Sequence, residues 1–342
     1  MTARVPFAER GGAVRGVLDL ASGCYPAFLF GGSIGEQLPA FHFHDVTSAW
    51  LEPRLQYLVE NGYRTVTSEE VARLVIDGVR PAPQSIALTF DDAWTSAYTV
   101  AWPLLKQYGF RAILFVIPAR VDAAEFVSWD ELREMHDSGI FDVQSHTRTH
   151  AMIFADSEVV DFVTPAFARE PLLNRPIEAD GLGTPLYLRR SRMSDARRFH
   201  AGAEAADHCR RHVAENGGAG FFARPDWRGE LTAIAARDGG HFESDEERAA
   251  IVREELAEAR AILNDRLRTN SVKHVAMPWG IAGAIAREAT AATGHELAFA
   301  ERPWRRRSIR AGDDRFGLMR LNGNFLTCLP GRGREHFFTT VR

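Results

Sequence analysis

Cysteine is scarce and scattered: Cys24, Cys209 and Cys328 are the only three in 342 residues. No CxxC occurs, so neither a disulfide framework nor a thiolate zinc site is indicated. No apolar run approaches the roughly 18 residues that a membrane span requires. A large charge of one sign is also lacking. The formal net charge of −4 gives no electrostatic reason to expect nucleic acid as a partner. The locally basic stretches YLRRSR (187–192) and WRRRSIR (304–310) read as solvated faces. The opening residues, MTARVPFAERGGAVRG, lack the apolar core of a secretory leader. A reduced, cytoplasmic protein is therefore the expectation, although a chain trimmed of its leader would read the same way.

What is present is ordinary in composition, 45% apolar and 25% charged, and long enough for one large α/β domain or two smaller ones. Short apolar runs alternate with helical patterns. AFHFHDV (40–46), PQSIALTF (83–90), RAILFVI (111–117) and IFDVQS (140–145) read as strands. The helices between them fall at 48–62, 67–78, 96–109 and 128–139. Such alternation predicts parallel strands joined by crossover helices, with functional groups at the carboxyl ends of the strands. From 151 to 242 the pattern is lost in Arg-, Pro- and Gly-rich sequence such as NRPIEADGLGTP (174–185), which is loop chemistry. A long helix resumes at 244–269, where Ser244 and Glu247 have the spacing of a capping box, followed by strands at 272–277 and 295–300. The domain plan is an N-terminal extension (1–39), a first barrel segment (40–150), an insertion (151–243) and the remainder with a tail (244–342).

Two motifs carry chemistry. LTFDDAW (88–94) ends a strand in adjacent carboxylates, Asp91 and Asp92, which repel each other unless a cation or a turn relieves them. HTRTH (146–150) follows another strand and spaces His146 and His150 at i and i+4, on one face if a helical turn begins there. Two histidines and a carboxylate with an open position form a catalytic type of zinc site. One Asp could then act as ligand while the other takes a proton from water that the metal has acidified. DHCRRH (207–212) has the same histidine spacing, but no strand delivers it to a rim.

ALTFDDAW, RAILFVI, the 128–150 stretch and VAMPWG, in this order, resemble the polysaccharide deacetylase family, carbohydrate esterase family 4 with its NodB-homology domain. The resemblance covers about 40–150 and 244–300. It implies a distorted, incomplete (β/α) barrel, seven-stranded and TIM-like, here with a large insertion. It assigns Asp91 as general base and Asp92, His146 and His150 as ligands of a divalent metal, usually zinc. PWG (278–280) is similar to the family's PYG-type motif, which makes Trp279 the candidate beside an oxyanion-binding N–H, and Pro278, Trp279 and Trp94 candidate substrate contacts. FHDV (43–46) is similar to the family's opening strand and implies that His44 is a buried supporting residue. The glycine usual after TFDD is replaced by Ala93, the arginine of the PYG motif is missing, and the late Leu-x-His motif is not identifiable. His295, with His336 as a weaker choice, is the remaining downstream candidate for the general acid.

The expected function is hydrolysis of an N-acetyl group from an amino sugar or glycan. A C–N hydrolase acting on a non-sugar amide or ureide, and a non-catalytic binding descendant, are the rivals. The expected partner is a carbohydrate or another N-acylated small molecule, with no nucleic acid and no membrane span. The insertion, starting directly after His150, is expected to act as a lid.

Overall fold

The computed structural model describes residues 18, 20–236, 239–302 and 305–340, so 1–17 of the expected N-terminal extension lie outside the described residues. In chain order the first segment runs β1 (Ala40–Phe43), α1 (Ser48–Glu60), β2 (Arg64–Thr65), α2 (Ser68–Asp77), β3 (Ser85–Asp92), α3 (Trp102–Tyr108), β4 (Ala112–Val116), α4 (Trp129–Asp137) and β5 (Phe141–Ser145). Next come β6 (Met152–Phe162), β7 (Pro185–Ser191), β8 (Phe199–Ala201), α5 (Ala203–Glu215), α6 (Trp227–Ala235) and β9 (Gly240–Phe242). The chain closes with α7 (Asp245–Leu267), β10 (His274–Ala276), α8 (Ala284–Ala292), β11 (Leu297–Phe299) and β12 (Leu321–Asn322).

Seven strands pair in parallel in the order β11-β10-β5-β4-β3-β1-β12, with β2 attached to β3. This path is the incomplete (β/α) barrel that the alternation predicts. The strands are apolar runs because both faces are covered: all eight residues of β3 are buried. Along β4, Ala112, Leu114 and Val116 face the cluster that holds Leu51, Leu55, Leu105 and Leu132 from α1, α3 and α4. Ile113 and Phe115 face the other cluster, with Ala87, Phe299 and Val71 of α2. Reciprocal capping boxes start α2 (Thr67 with Glu70) and α4 (Ser128 with Glu131). Ser244 and Glu247 bond each other's backbone N–H at the start of α7, as their spacing predicts.

Register places the site. Asp92 pairs with Val116, Val116 with Ser145, and Ser145 with Val275, so the carboxyl ends of β3, β4, β5 and β10 stand level.

Residues 150–252, with 283–286, form a second compact unit. In place of the expected loops it contains two antiparallel strand pairs, β6–β7 and β8–β9, and the helices α5 and α6. Its cores are small: Phe162, Cys209, Val213, Phe221, Leu231 and Ala235 form one, and Phe154, Val163, Leu186, Tyr187 and Phe199 the other. The strands escape a pattern reading because β6 shifts register twice between Phe154 and Asp161, while β8 and β9 have three residues each. No helix among the described residues is long and apolar enough to cross a membrane.

Candidate metal and catalytic site

Asp91 and Asp92 are the last two residues of β3, and both are buried, 4% and 3% exposed. Asp92 has φ 72 and Ala93 φ 65, so the chain leaves the strand through two left-handed residues. Without the usual glycine, Ala93 absorbs that strain, at a cost of order 1 kcal/mol. His146 follows β5, and its N–H donates to Val116 O at 2.8 Å. HTRTH is not a helical turn. Thr147 has φ 63 and His150 φ 55, and this loop, rather than a helix face, brings the two imidazoles together.

Ligand atoms of Asp92, His146 and His150 all lie within 4.8 Å of one another, and all three residues are buried. His146 Nδ1 donates to Ala276 O at 2.7 Å, which leaves Nε2 as the ring nitrogen turned toward Asp92. The Nε2 to Asp92 Oδ1 distance is 3.4 Å. Two ligands at zinc-bond length in a tetrahedron are about 3.4 Å apart, so this edge and the buried two-imidazole, one-carboxylate donor set fit a divalent cation. The other oxygen, Asp92 Oδ2, accepts the Trp94 indole N–H at 2.9 Å. Trp94 is stacked on Phe126 at 4.6 Å, so it orients the ligand, a role its sequence position did not signal. Burial works against a charged His146, but the hydrogen bond to Asp92 and the charges of Asp91 and Asp92 outweigh it and raise its pKa.

Asp91 is gripped by the residue just before β12. Arg320 Nη1 and Nη2 donate to Oδ1 and Oδ2 at 2.6 and 2.7 Å, and Nη1 also donates to Thr89 Oγ1 at 2.9 Å. The guanidinium is walled by Phe115 and Phe299, at 5.5 and 5.8 Å. Burial opposes the charge on Asp91. Arg320, the His146 imidazole and His44 more than offset it and hold the carboxyl well below the usual carboxylate range. Arg320 stands just before β12, far in sequence from the PWG segment, and nothing in LMRLNGN (318–324) marks it.

His44 departs from expectation. It is 52% exposed rather than buried, with Nε2 3.9 Å from Asp91 Oδ2. It lines a cavity of about 380 Å³ with His42, Asp45, Trp50, Asn322 and Asn324. PWG forms a single tight turn after β10, with Trp279 at φ 54 and half-buried, and Pro278 buried within the turn. Gly280, at φ 70, closes it where a Cβ would lie 2.6 Å from Glu301 Cγ.

His295 stands two residues before β11, and its N–H donates to Thr290 O. It is therefore at the amino-terminal end of the barrel strands, opposite the end that carries Asp92 and His146, and the structure does not bring it to the site. Burial pushes its pKa down to about 4. His336 is exposed near the chain end. In DHCRRH, His208 points to solvent and His212 pairs with Glu230 at 2.8 Å. A second acid–imidazole group, Glu69, His274 and Glu296, gathers at the amino-terminal end. There Lys273 Nζ lies 3.4 Å from Glu296 and already supplies a cation.

The geometry defines a class: an incomplete parallel barrel that presents a buried Asp-His-His group and a second, arginine-clamped aspartate at its strand ends. Residues 78–166 match the family described as Polysaccharide deacetylase. YxkH of Bacillus subtilis, named for polysaccharide deacetylation, is 30% identical over 122 residues, 33% of this chain and 43% of its own. The poly-beta-1,6-N-acetyl-D-glucosamine N-deacetylase of Escherichia coli K12 is 25% identical over 185 residues, 49% of this chain and 24% of that protein. The chain thus spans less than half the length of these relatives. The BpsB deacetylase domain from Bordetella bronchiseptica superposes with TM-score 0.56 at 17% identity, covering 85% of this chain and 97% of that one. The Streptococcus pyogenes deacetylase PplD gives 0.53 at 17% identity, over 90% and 98% of the two chains. Over residues 78–166 the barrel is thus similar to the polysaccharide deacetylase family, and its fold to that of solved deacetylases.

Proposed function

We propose that the protein is a metal-dependent de-N-acetylase of a glycan built from N-acetylated amino sugars. The observation that carries this reading is the convergence of Asp92, His146 and His150 beside Asp91 at the strand ends. The names of its N-deacetylase relatives support the substrate class. Asp92, His146 and His150 would hold the ion, zinc being the best match to two imidazoles and one carboxylate. When bound, it supplies Lewis-acid polarisation of the acetyl carbonyl and acidifies water.

The chain's own groups do the rest. Asp91, kept ionised and fixed by both arms of Arg320, accepts the proton of the attacking water. Its depressed pKa makes it a weak base, so the drive for that transfer comes from the acidity of the water and from orientation. The N–H groups of the Trp279 turn are the candidates for binding the developing oxyanion. His44, half-exposed and 3.9 Å from Asp91, replaces His295 as the group that returns a proton to the leaving amine.

Acetate release from oligomers of β-1,6-linked N-acetylglucosamine tests the proposal. The zinc-loaded protein should release acetate. Asp91→Asn should lower kcat about 10³-fold with zinc retained, and His146→Ala should lose both zinc and turnover. A zinc-replete protein that releases no acetate from this or any N-acetylated glycan would sink the reading.

A further inference from the structure

The loop that carries the two imidazoles holds Thr147 and His150 in the left-handed region, where bulky L residues persist only if their surroundings hold them. Its backbone shows what holds it. His146 N–H donates to Val116 O, and Arg148 O accepts Ala119 N–H at 3.1 Å. The two N–H groups before His150 both go to one residue of α7. Arg148 N–H donates to Glu255 O at 3.2 Å, and Thr149 N–H to Glu255 Oε2 at 3.0 Å. The Thr149 hydroxyl donates to Glu255 Oε1 at 2.8 Å, which fills the second carboxylate oxygen.

Glu255 is 4% exposed, on a helix whose outer glutamates serve a different partner. Glu254 and Glu258 engage the Arg148 guanidinium, and Arg148 also lies 3.5 Å from Glu255. Without those acids Arg148, two residues from each imidazole, would set a positive charge close to a cation site. A strut that only joined helix to loop would need one bond. Here a buried carboxylate fixes the peptide and the side chain immediately before His150, which sets where that residue starts.

We propose that Glu255 is a positioning residue for the metal ligands: it locks the His146–His150 loop in its binding geometry, so the affinity of the site for a divalent cation depends on it although it is not a ligand. This rests on the metal reading of Asp92, His146 and His150. Metal affinity can report it without turnover. Cobalt(II) and zinc titrations, with the visible cobalt spectrum and a chelator competition, should be run on the wild-type chain and on Glu255→Ala, Glu255→Gln, Thr149→Val and, as a control, Glu254→Gln.

Glu255→Ala should weaken metal binding about 10–100-fold and change the cobalt band, and Glu255→Gln and Thr149→Val should fall between it and the wild type. Glu254→Gln should bind as the wild type does, because Glu255 and Glu258 still neutralise Arg148. Wild-type affinity and spectrum in folded Thr149→Val and Glu255→Gln would overturn the assignment, even if Glu255→Ala fails to fold. A wild-type chain that takes up no cobalt, or a His146→Ala chain that takes up as much, would sink the metal reading first and this inference with it.

Discussion

Arg320 in the barrel and Arg192 in the unit at 150–252 each grip a buried carboxylate with both guanidinium arms. Asp91 is held at 2.6 and 2.7 Å, and Glu243 at 2.7 and 2.7 Å. The surroundings differ. Glu243 also accepts the Arg198 N–H at 2.8 Å, and its acceptors are spent inside the unit. Asp91 sits at a strand end beside Asp92 and within 3.9 Å of the half-exposed His44. One pair closes a small core, and the other holds a carboxylate ready at a rim. Backbone strain divides the same way. Nine described non-glycine residues have positive φ, and within 150–252 only the first residue, His150, is among them. Asp92, Ala93, Thr147 and Trp279 belong to the barrel and stand at strand ends. Five of the nine, His150 included, lie at the candidate site, while Gln84, Asp122, Glu125 and Arg268 carry positive φ elsewhere in the barrel. Among the described residues, the inserted unit past its first residue packs without such strain, and the barrel does not.

The comparison breaks most visibly if one arginine is removed from each pair. Arg192→Met should destabilise by about 3–5 kcal/mol, because Glu243 would stay buried with its charge unmatched. Arg320→Met should do the same to Asp91 and also depress turnover. Replacing both partners separates the two roles. Arg192→Met with Glu243→Leu should regain most of the stability and keep activity, since an apolar pair of similar size is often as stable as a buried ion pair. Arg320→Met with Asp91→Leu should regain stability only. Urea unfolding alongside acetate release measures both. An Arg192→Met loss below about 1 kcal/mol would mean that the inserted unit does not depend on its ion pair as a buried pair should.

A smaller effect is expected from acid, and again from the barrel. Burial, helped by the mutual charge of His295, pushes His274 down to about 3, and burial with Arg260 pushes His295 down to about 4. The folded barrel therefore refuses protons that the unfolded chain binds near pH 6.5. This contribution is complete above that pH and is lost as pH falls toward the folded values. By about pH 5 each imidazole should cost about 2 kcal/mol. Unfolding followed at about pH 7.5 and 5 should show the drop, and His274→Gln and His295→Gln should flatten it. An unchanged slope in both variants would place the acid sensitivity elsewhere.

The barrel was legible in the sequence because its strands are uninterrupted apolar runs and its helices announce their starts at Thr67, Ser128 and Ser244. Asp91, Asp92 and His146 were legible because they adjoin such runs, and His150 because it repeats the imidazole four residues on. The support around them was not. Arg320 precedes a strand of two residues, too short for any period to show. Glu255 sits in EELAEAR, where a buried glutamate and its exposed neighbours look alike. His44 looked internal from its strand, yet β1 ends at Phe43 and leaves it on the rim. The inserted unit stayed hidden because its strands alternate poorly and its cores are assembled from residues far apart in sequence.

The finest test of the strain comparison lies away from the rim. Arg268 follows the last residue of α7 with φ 52, in the position that ends many helices and that glycine fills without steric cost. Thr269 N–H donates to Asn264 O at 2.9 Å, so the closing geometry is already in place, and the Arg268 side chain is exposed. Nothing here needs aiming, so the strain is incidental and should be removable. Arg268→Gly should stabilise by about 0.5–1 kcal/mol, raising Tm by roughly 1–3 °C, with turnover and zinc affinity unchanged. Glycine at Thr147, which has a comparable φ, should instead loosen the ligand loop and cost metal affinity. If Arg268→Gly gave no gain, or if Thr147→Gly bound zinc as tightly as the wild type, the division between strain that aims and strain that merely persists would fail.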